Sequence, residues 1–142
     1  MPYEDEPTPY ECFEQPPPEV NERARVVIGA MIAVHTELGP GQPEEAYENA
    51  LAIELTERGI RFERQFCFDI TYHGQVVARG RFDFLVEGKL ILQLKSVDAI
   101  SPVHRRRVIQ YLRMTKMPLA LLVNFNVPAL KDGIMRVVLS KP

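Results

Sequence analysis

The amino-acid sequence predicts an α/β fold in which a central mixed β-sheet is flanked by α-helices. Three observations predict it. Apolar residues recur at three- and four-residue steps over about residues 19–38. Alternating strand patterns joined by tight turns fill residues 62–95. A further helical stretch is then followed by a continuous apolar run, Leu119 to Phe125, as expected of a central strand covered on both faces. A helix between two strands suits a crossover connection. At 142 residues the chain is long enough for one domain with a sizeable core.

The elements follow in order. Residues 1–19 hold six of the twelve prolines, with Glu and Asp interleaved. They read as a proline-rich, acidic, flexible tail or docking arm, leaving 20–142 as a single domain. Ala24, Val27, Ile28, Met31, Val34, His35 and Leu38 form the apolar side of the first helix, which Gly39-Pro40-Gly41 ends. His35 caps carbonyls or packs. Pro43 opens a second helix, with Glu44 and Glu45 at the positive end of its dipole. Ala46, Tyr47, Ala50, Leu51, Ile53 and Leu55 give it an apolar side, and Gly59 stops it.

From Phe62 to Tyr72 the residues alternate as a half-buried strand, with Phe62, Arg64, Phe66 and Phe68 on one face. His73-Gly74 turns the chain back into Gln75–Val86, and Gly80 permits a bulge or bend before Asp83. Ser101-Pro102 caps a helix that runs to about Lys116 and buries Val103, Val108, Tyr111, Leu112 and Thr115. Asn124 and Asn126 bond local backbone, and Lys131-Asp132-Gly133 turns into a last strand, Ile134–Leu139.

Composition excludes several classes. No stretch approaches the roughly 20 apolar residues of a membrane span. The acidic, proline-rich start is not a secretory signal. Cys12 and Cys67 are far apart, which suggests reduced thiols and a cytoplasmic protein. His35, His73 and His104 are scattered, so no zinc site is expected. Net charge is −2, but residues 79–116 carry nine Lys or Arg against Asp83, Glu87 and Asp98. That asymmetry suits phosphate contacts, or the acidic tail folding over a basic face.

The stretch Arg81 to Lys95 concentrates the chemistry. It reads as a hairpin, apolar except for Asp83, Gln93 and Lys95. A two-residue loop at Glu87-Gly88 would set Asp83 against Leu92. A three-residue loop, Glu87-Gly88-Lys89 with Gly88 left-handed, pairs Asp83 with Gln93 and aligns Phe82, Phe84 and Val86 with Leu94, Leu92 and Leu90. The second register satisfies both faces. Burying such polar groups is costly without partners or a ligand. They form either a structural Asp–Lys pair at the sheet edge or a metal-and-phosphate site.

Asp83 followed by a hairpin and Gln93-x-Lys95 resembles the PD-(D/E)xK nuclease superfamily, with Gln at the usual acidic position. Gly41-x-x-Glu44-x-x-Tyr47, the Leu38-Gly39-Pro40-Gly41 approach and Leu122-Val123-Asn124-Phe125-Asn126-Val127-Pro128 resemble its GxxExxY family, in order, over about residues 20–140. The resemblance implies a restriction-endonuclease-like core and phosphodiester hydrolysis of DNA or RNA. It implies Mg²⁺ or Mn²⁺ bound by Asp83, Glu44 and the Gln93 carbonyl, with the Leu94 backbone adding an oxygen. It makes Lys95 the group that orients water or stabilises phosphate charge. Tyr47, Arg107 and Tyr111 then support the site. Arg107 stands where family members often carry Gln. A homodimer or larger homo-oligomer fits paired cuts in two strands. Gln93, Arg107 and the negative net charge also admit a second reading, a catalytically weakened or inactive member that binds nucleic acid or self-assembles as a scaffold.

Overall fold

The computed structural model describes residues 16–138 and the backbone of two short segments, Cys12–Phe13 and Ser140–Lys141. In chain order the elements are β1 (Cys12–Phe13), α1 (Pro18–Leu38), α2 (Glu44–Glu57), β2 (Phe62–Tyr72), β3 (Gln75–Val86), β4 (Leu90–Lys95), α3 (Pro102–Thr115), β5 (Leu119–Asn124), β6 (Ile134–Val138) and β7 (Ser140–Lys141). A five-stranded sheet has the order β2-β3-β4-β5-β6. Its pairs are antiparallel except β4 with β5, which α3 joins as a parallel crossover. The architecture is therefore the expected mixed sheet flanked by helices.

The helices divide the core. Against one face α1 and α2 bury Val27, Met31, Tyr47, Leu51 and Leu55 on Phe84, Leu92, Leu121 and Val123. Against the other, α3 buries Val108 and Leu112 on Leu85, Ile91, Ala120 and Leu122. β5 is buried at every position, which is why its sequence is continuously apolar. Each fully buried Leu, Val or Phe contributes about 1.5–3 kcal/mol. A surface pair such as Arg58–Glu54 on α2 contributes about 1 kcal/mol at most. Packing of Tyr47, Leu51 and Leu55, rather than surface charge, therefore fixes α2 on the sheet.

Several expectations change. Helix α1 begins at Pro18, inside the stretch read as a tail. Cys12–Phe13 pairs with Ser140–Lys141, while residues 1–11, 14 and 15 lie outside the described residues. Val103 and Ile53 are exposed rather than buried, because the first turn of α3 and the outer face of α2 point away from the sheet. The bulge in the β2–β3 ribbon lies between Ile70 and Thr71 and not at Gly80. At Gly80 the Phe68 ring covers the backbone so closely that a Cβ would sit 2.2 Å from Cζ.

Phe82 does not share a face with Phe84. It packs with Leu85 and Ile91 on the α3 side, stacked on Phe66, whereas Phe62 and Phe84 lie against α1 and α2. The cause is Gln65, whose φ of +52° turns the ribbon over between the Arg64–Phe84 and Phe66–Phe82 pairs. Simple alternation holds only where the backbone stays extended.

Candidate active site

The hairpin register is the one that unites Asp83 with Gln93. Val86 pairs with Leu90 and Phe84 with Leu92. Glu87 and Gly88 both take left-handed φ, and the Lys89 N–H donates to the Val86 carbonyl at 3.1 Å. Beyond Phe84 the backbone ladder stops and side chains replace it. The Asp83 N–H donates to Gln93 Oε1 at 2.8 Å, and the Leu94 N–H donates to Asp83 Oδ2 at 2.7 Å. The two strands thus part at Asp83, and buried backbone donors that would otherwise be orphaned are satisfied. Asp83 is 6 % exposed.

Helix α2 brings Glu44 to this opening from its first turn. The loop before it is held from two sides. Tyr47, fully buried and stacked on Phe125 at 4.5 Å, donates its hydroxyl to the Gly39 carbonyl and accepts the Gln42 N–H at 3.0 Å. Ser96, just past β4, donates to the Gln42 carbonyl at 2.7 Å. Gly41 adopts φ +92°, a conformation only glycine takes without strain. Tyr47 therefore acts through the loop that carries Glu44.

Lys95 ends β4 on a fastened segment. The Phe125 N–H donates to the Lys95 carbonyl at 2.9 Å. Asn124, 3 % exposed, accepts the Val97 N–H and donates to the Val97 carbonyl, which also accepts from Asn126. The two asparagines thus reach a loop 27 and 29 residues upstream, beyond the local backbone expected of them.

The electrostatics tie Glu44, Asp83 and Lys95 together. Burial pushes the Asp83 carboxyl above its usual range; the Leu94 N–H opposes this, Glu48 adds to it, and Arg81 and Lys95 counter it. Glu44 as a residue is exposed, yet its carboxyl interacts electrostatically with Lys95 and Asp83. Burial raises its pKa, Lys95 opposes that, Asp83 and Glu48 add to it, and Arg81 again counters. Two carboxylates and a neutral carboxamide form a hard, all-oxygen donor set. Among the described residues no three His, Cys, Asp or Glu side chains gather as ligands. Mg²⁺ is commonly held by one or two carboxylates with waters and substrate phosphates completing its octahedron, so the residues present fit such an ion.

Of the remaining expected residues, Tyr111 packs its ring on Phe68 at 4.9 Å and Phe82 at 5.9 Å, behind the Asp83 strand. Arg107 is exposed on α3; burial first, and then the charges of Lys95 and Arg107, oppose protonation of His104. Sequence reasoning missed Glu48 and Gln65. Glu48 lies one turn after Glu44 and accepts from Arg64 Nη2 at 2.9 Å and from Gln65 Nε2 at 2.9 Å. Gln65 stands across from Asp83 in the ribbon register. The available signal was the four-residue step from Glu44, which puts both acids on one helix face.

A mixed sheet whose parted antiparallel strands present a carboxylate, a carboxamide and an ammonium to a helix-borne glutamate defines an α/β protein of the restriction-endonuclease type. A family model described as the PD-(D/E)XK nuclease superfamily matches residues 21–137, and the chain belongs to that superfamily. No curated protein and no solved structure matches it.

Proposed function

We propose that the protein is a metal-dependent nuclease of the GxxExxY branch that hydrolyses phosphodiester bonds in DNA or RNA. One observation carries this reading. Where the strands part, Gln93 Oε1 accepts the Asp83 N–H and Asp83 Oδ2 accepts the Leu94 N–H, which leaves Asp83 Oδ1 for a ligand where the charges of Glu44, Asp83 and Lys95 act on one another. Asp83 Oδ1 and Glu44 would hold Mg²⁺ or Mn²⁺, with a second lone pair of Gln93 Oε1 as a neutral ligand. The bound ion would supply an acidified water and neutralise phosphate charge. Lys95 orients that water or stabilises charge on the phosphate. Tyr47 positions Glu44, Tyr111 backs the Asp83 strand, and Arg107 contacts phosphate. A homodimer or larger homo-oligomer suits paired cuts, and the exposed thiol of Cys67 suits the reducing cytoplasm.

A second reading rests on Gln93. It removes one negative charge from the donor set, and its carbonyl already accepts the Asp83 N–H. This favours a weakened or inactive member that binds nucleic acid or assembles as a scaffold. Cleavage of single- and double-stranded DNA and RNA with Mg²⁺ and Mn²⁺ separates the readings, with Asp83→Asn and Lys95→Ala as comparisons. Asn retains an acceptor for the Leu94 N–H, so its loss of activity reports chemistry rather than folding. Metal-dependent cleavage lost in both variants is expected. Absence of cleavage, with thermal stability unmoved by either ion in wild type and Asp83→Asn alike, would leave only the second reading.

A further inference from the structure

We infer that His104 is a nucleic-acid contact, a neutral donor that holds a backbone phosphate beside Lys95 and Arg107. The inference rests on the nuclease reading and extends its substrate-binding surface onto α3. Ser101 and His104 form a reciprocal cap. The His104 N–H donates to Ser101 Oγ at 3.3 Å, and the Ser101 N–H donates to His104 Nδ1 at 3.2 Å. Since Nδ1 accepts, the ring proton resides on Nε2. That N–H takes no part in the cap, and its side chain is only half-buried.

Its neighbours define the ligand. Arg107 lies one turn further along α3, and Lys95 ends the strand whose following loop Asn124 and Asn126 fasten. Both cations act on the imidazole and, after burial, keep it below its ordinary range. Neither forms an ion pair among the described residues. Two cations and one neutral donor offer an anion three points of attachment. Phosphate is the anion the proposed substrate carries. A protonated histidine is not required, because the cap fixes a donor at Nε2 whatever the two cations do.

The test measures binding of a fluorescein-labelled DNA duplex, and of RNA of the same sequence, to Asp83→Asn protein in EDTA. His104→Leu in that background should weaken binding about tenfold, the loss of one hydrogen bond to a charged group. His104→Gln should restore it, because its amide accepts from Ser101 and donates outward. Ser101→Ala removes the hydroxyl cap but leaves the backbone bond to Nδ1, so it should lower stability without weakening binding. Unchanged binding by His104→Leu overturns the inference. So does an equal loss in Ser101→Ala, which would assign the effect to the cap. Cleavage by the wild type with His104-independent binding sinks this contact and spares the nuclease. His104-dependent binding without cleavage does the reverse.

Discussion

A carboxylate held among apolar strands resists ionisation, and the Asp83 carboxyl is raised above the ordinary aspartate value of 3.8 by burial, against the pull of the Leu94 N–H. The raised value has a definite sign for stability. Between the unfolded and folded pKa the native protein binds more protons than the unfolded chain, so stability falls as pH rises. The favourable contribution is complete below 3.8 and is lost as pH climbs through the raised folded value. Glu44 acts in the same direction from 4.5. Without divalent metal, the urea midpoint of Asp83→Asn should therefore fall less steeply with pH across this window than that of wild type. Parallel profiles would contradict the strain assigned to the ionised carboxylate. Addition of Mn²⁺ should reverse the difference, because a bound cation favours the charged form in the wild type alone.

Among the elements, β5 and the turn after it set the position of Lys95. Asn124 closes β5 and grips Val97, and the short 3-10 turn Leu130–Gly133 presses on the Asn124 carbonyl. A Cβ at Gly133 would lie 2.1 Å from that oxygen, which is backbone and cannot step aside. Gly133→Ala is expected to cost about 1–3 kcal/mol through overpacking. The displaced Asn124 should also loosen the loop after Lys95. Chemical denaturation measures the first effect, and faster amide exchange at Val97 the second. Wild-type protection at Val97 in a destabilised Gly133→Ala would show that the asparagine latch is independent of the turn.

Across the whole molecule, the far end of the β2–β3 ribbon stands clear of the helices, and Tyr72, Val76 and Val77 are 66 %, 56 % and 60 % exposed. Val76→Thr and Val77→Thr should each change stability by no more than about 0.5 kcal/mol in thermal unfolding. A larger loss would mean the ribbon is covered in solution. The same ribbon marks what could be read from the sequence. The register of Asp83 on Gln93 was legible, because polar groups on an apolar hairpin must meet or be orphaned. The side of Phe82 was not, because period-two reasoning assumes an extended Gln65 and its φ is +52°. Glu48 was not legible either, because its role rests on Arg64 and Gln65, which reach it from a strand 16 and 17 residues further along the chain. The pairing of Cys12–Phe13 with Ser140–Lys141 joins opposite ends of the chain, and no local pattern announces such a contact.

The turn of Gln65 also bears on aggregation. β2 is an outer strand of the sheet, and an unbroken outer strand offers its free amides and carbonyls to any passing chain. The left-handed residue interrupts that row, separating Phe62–Arg64 from Phe66–Tyr72. Charged Glu63, Arg64 and Asp69 lie along the divided edge. A foreign strand would have to reproduce the same kink to zip along the whole length. The backbone irregularity beside Asp83 thus also guards the protein against templated stacking through its longest open edge.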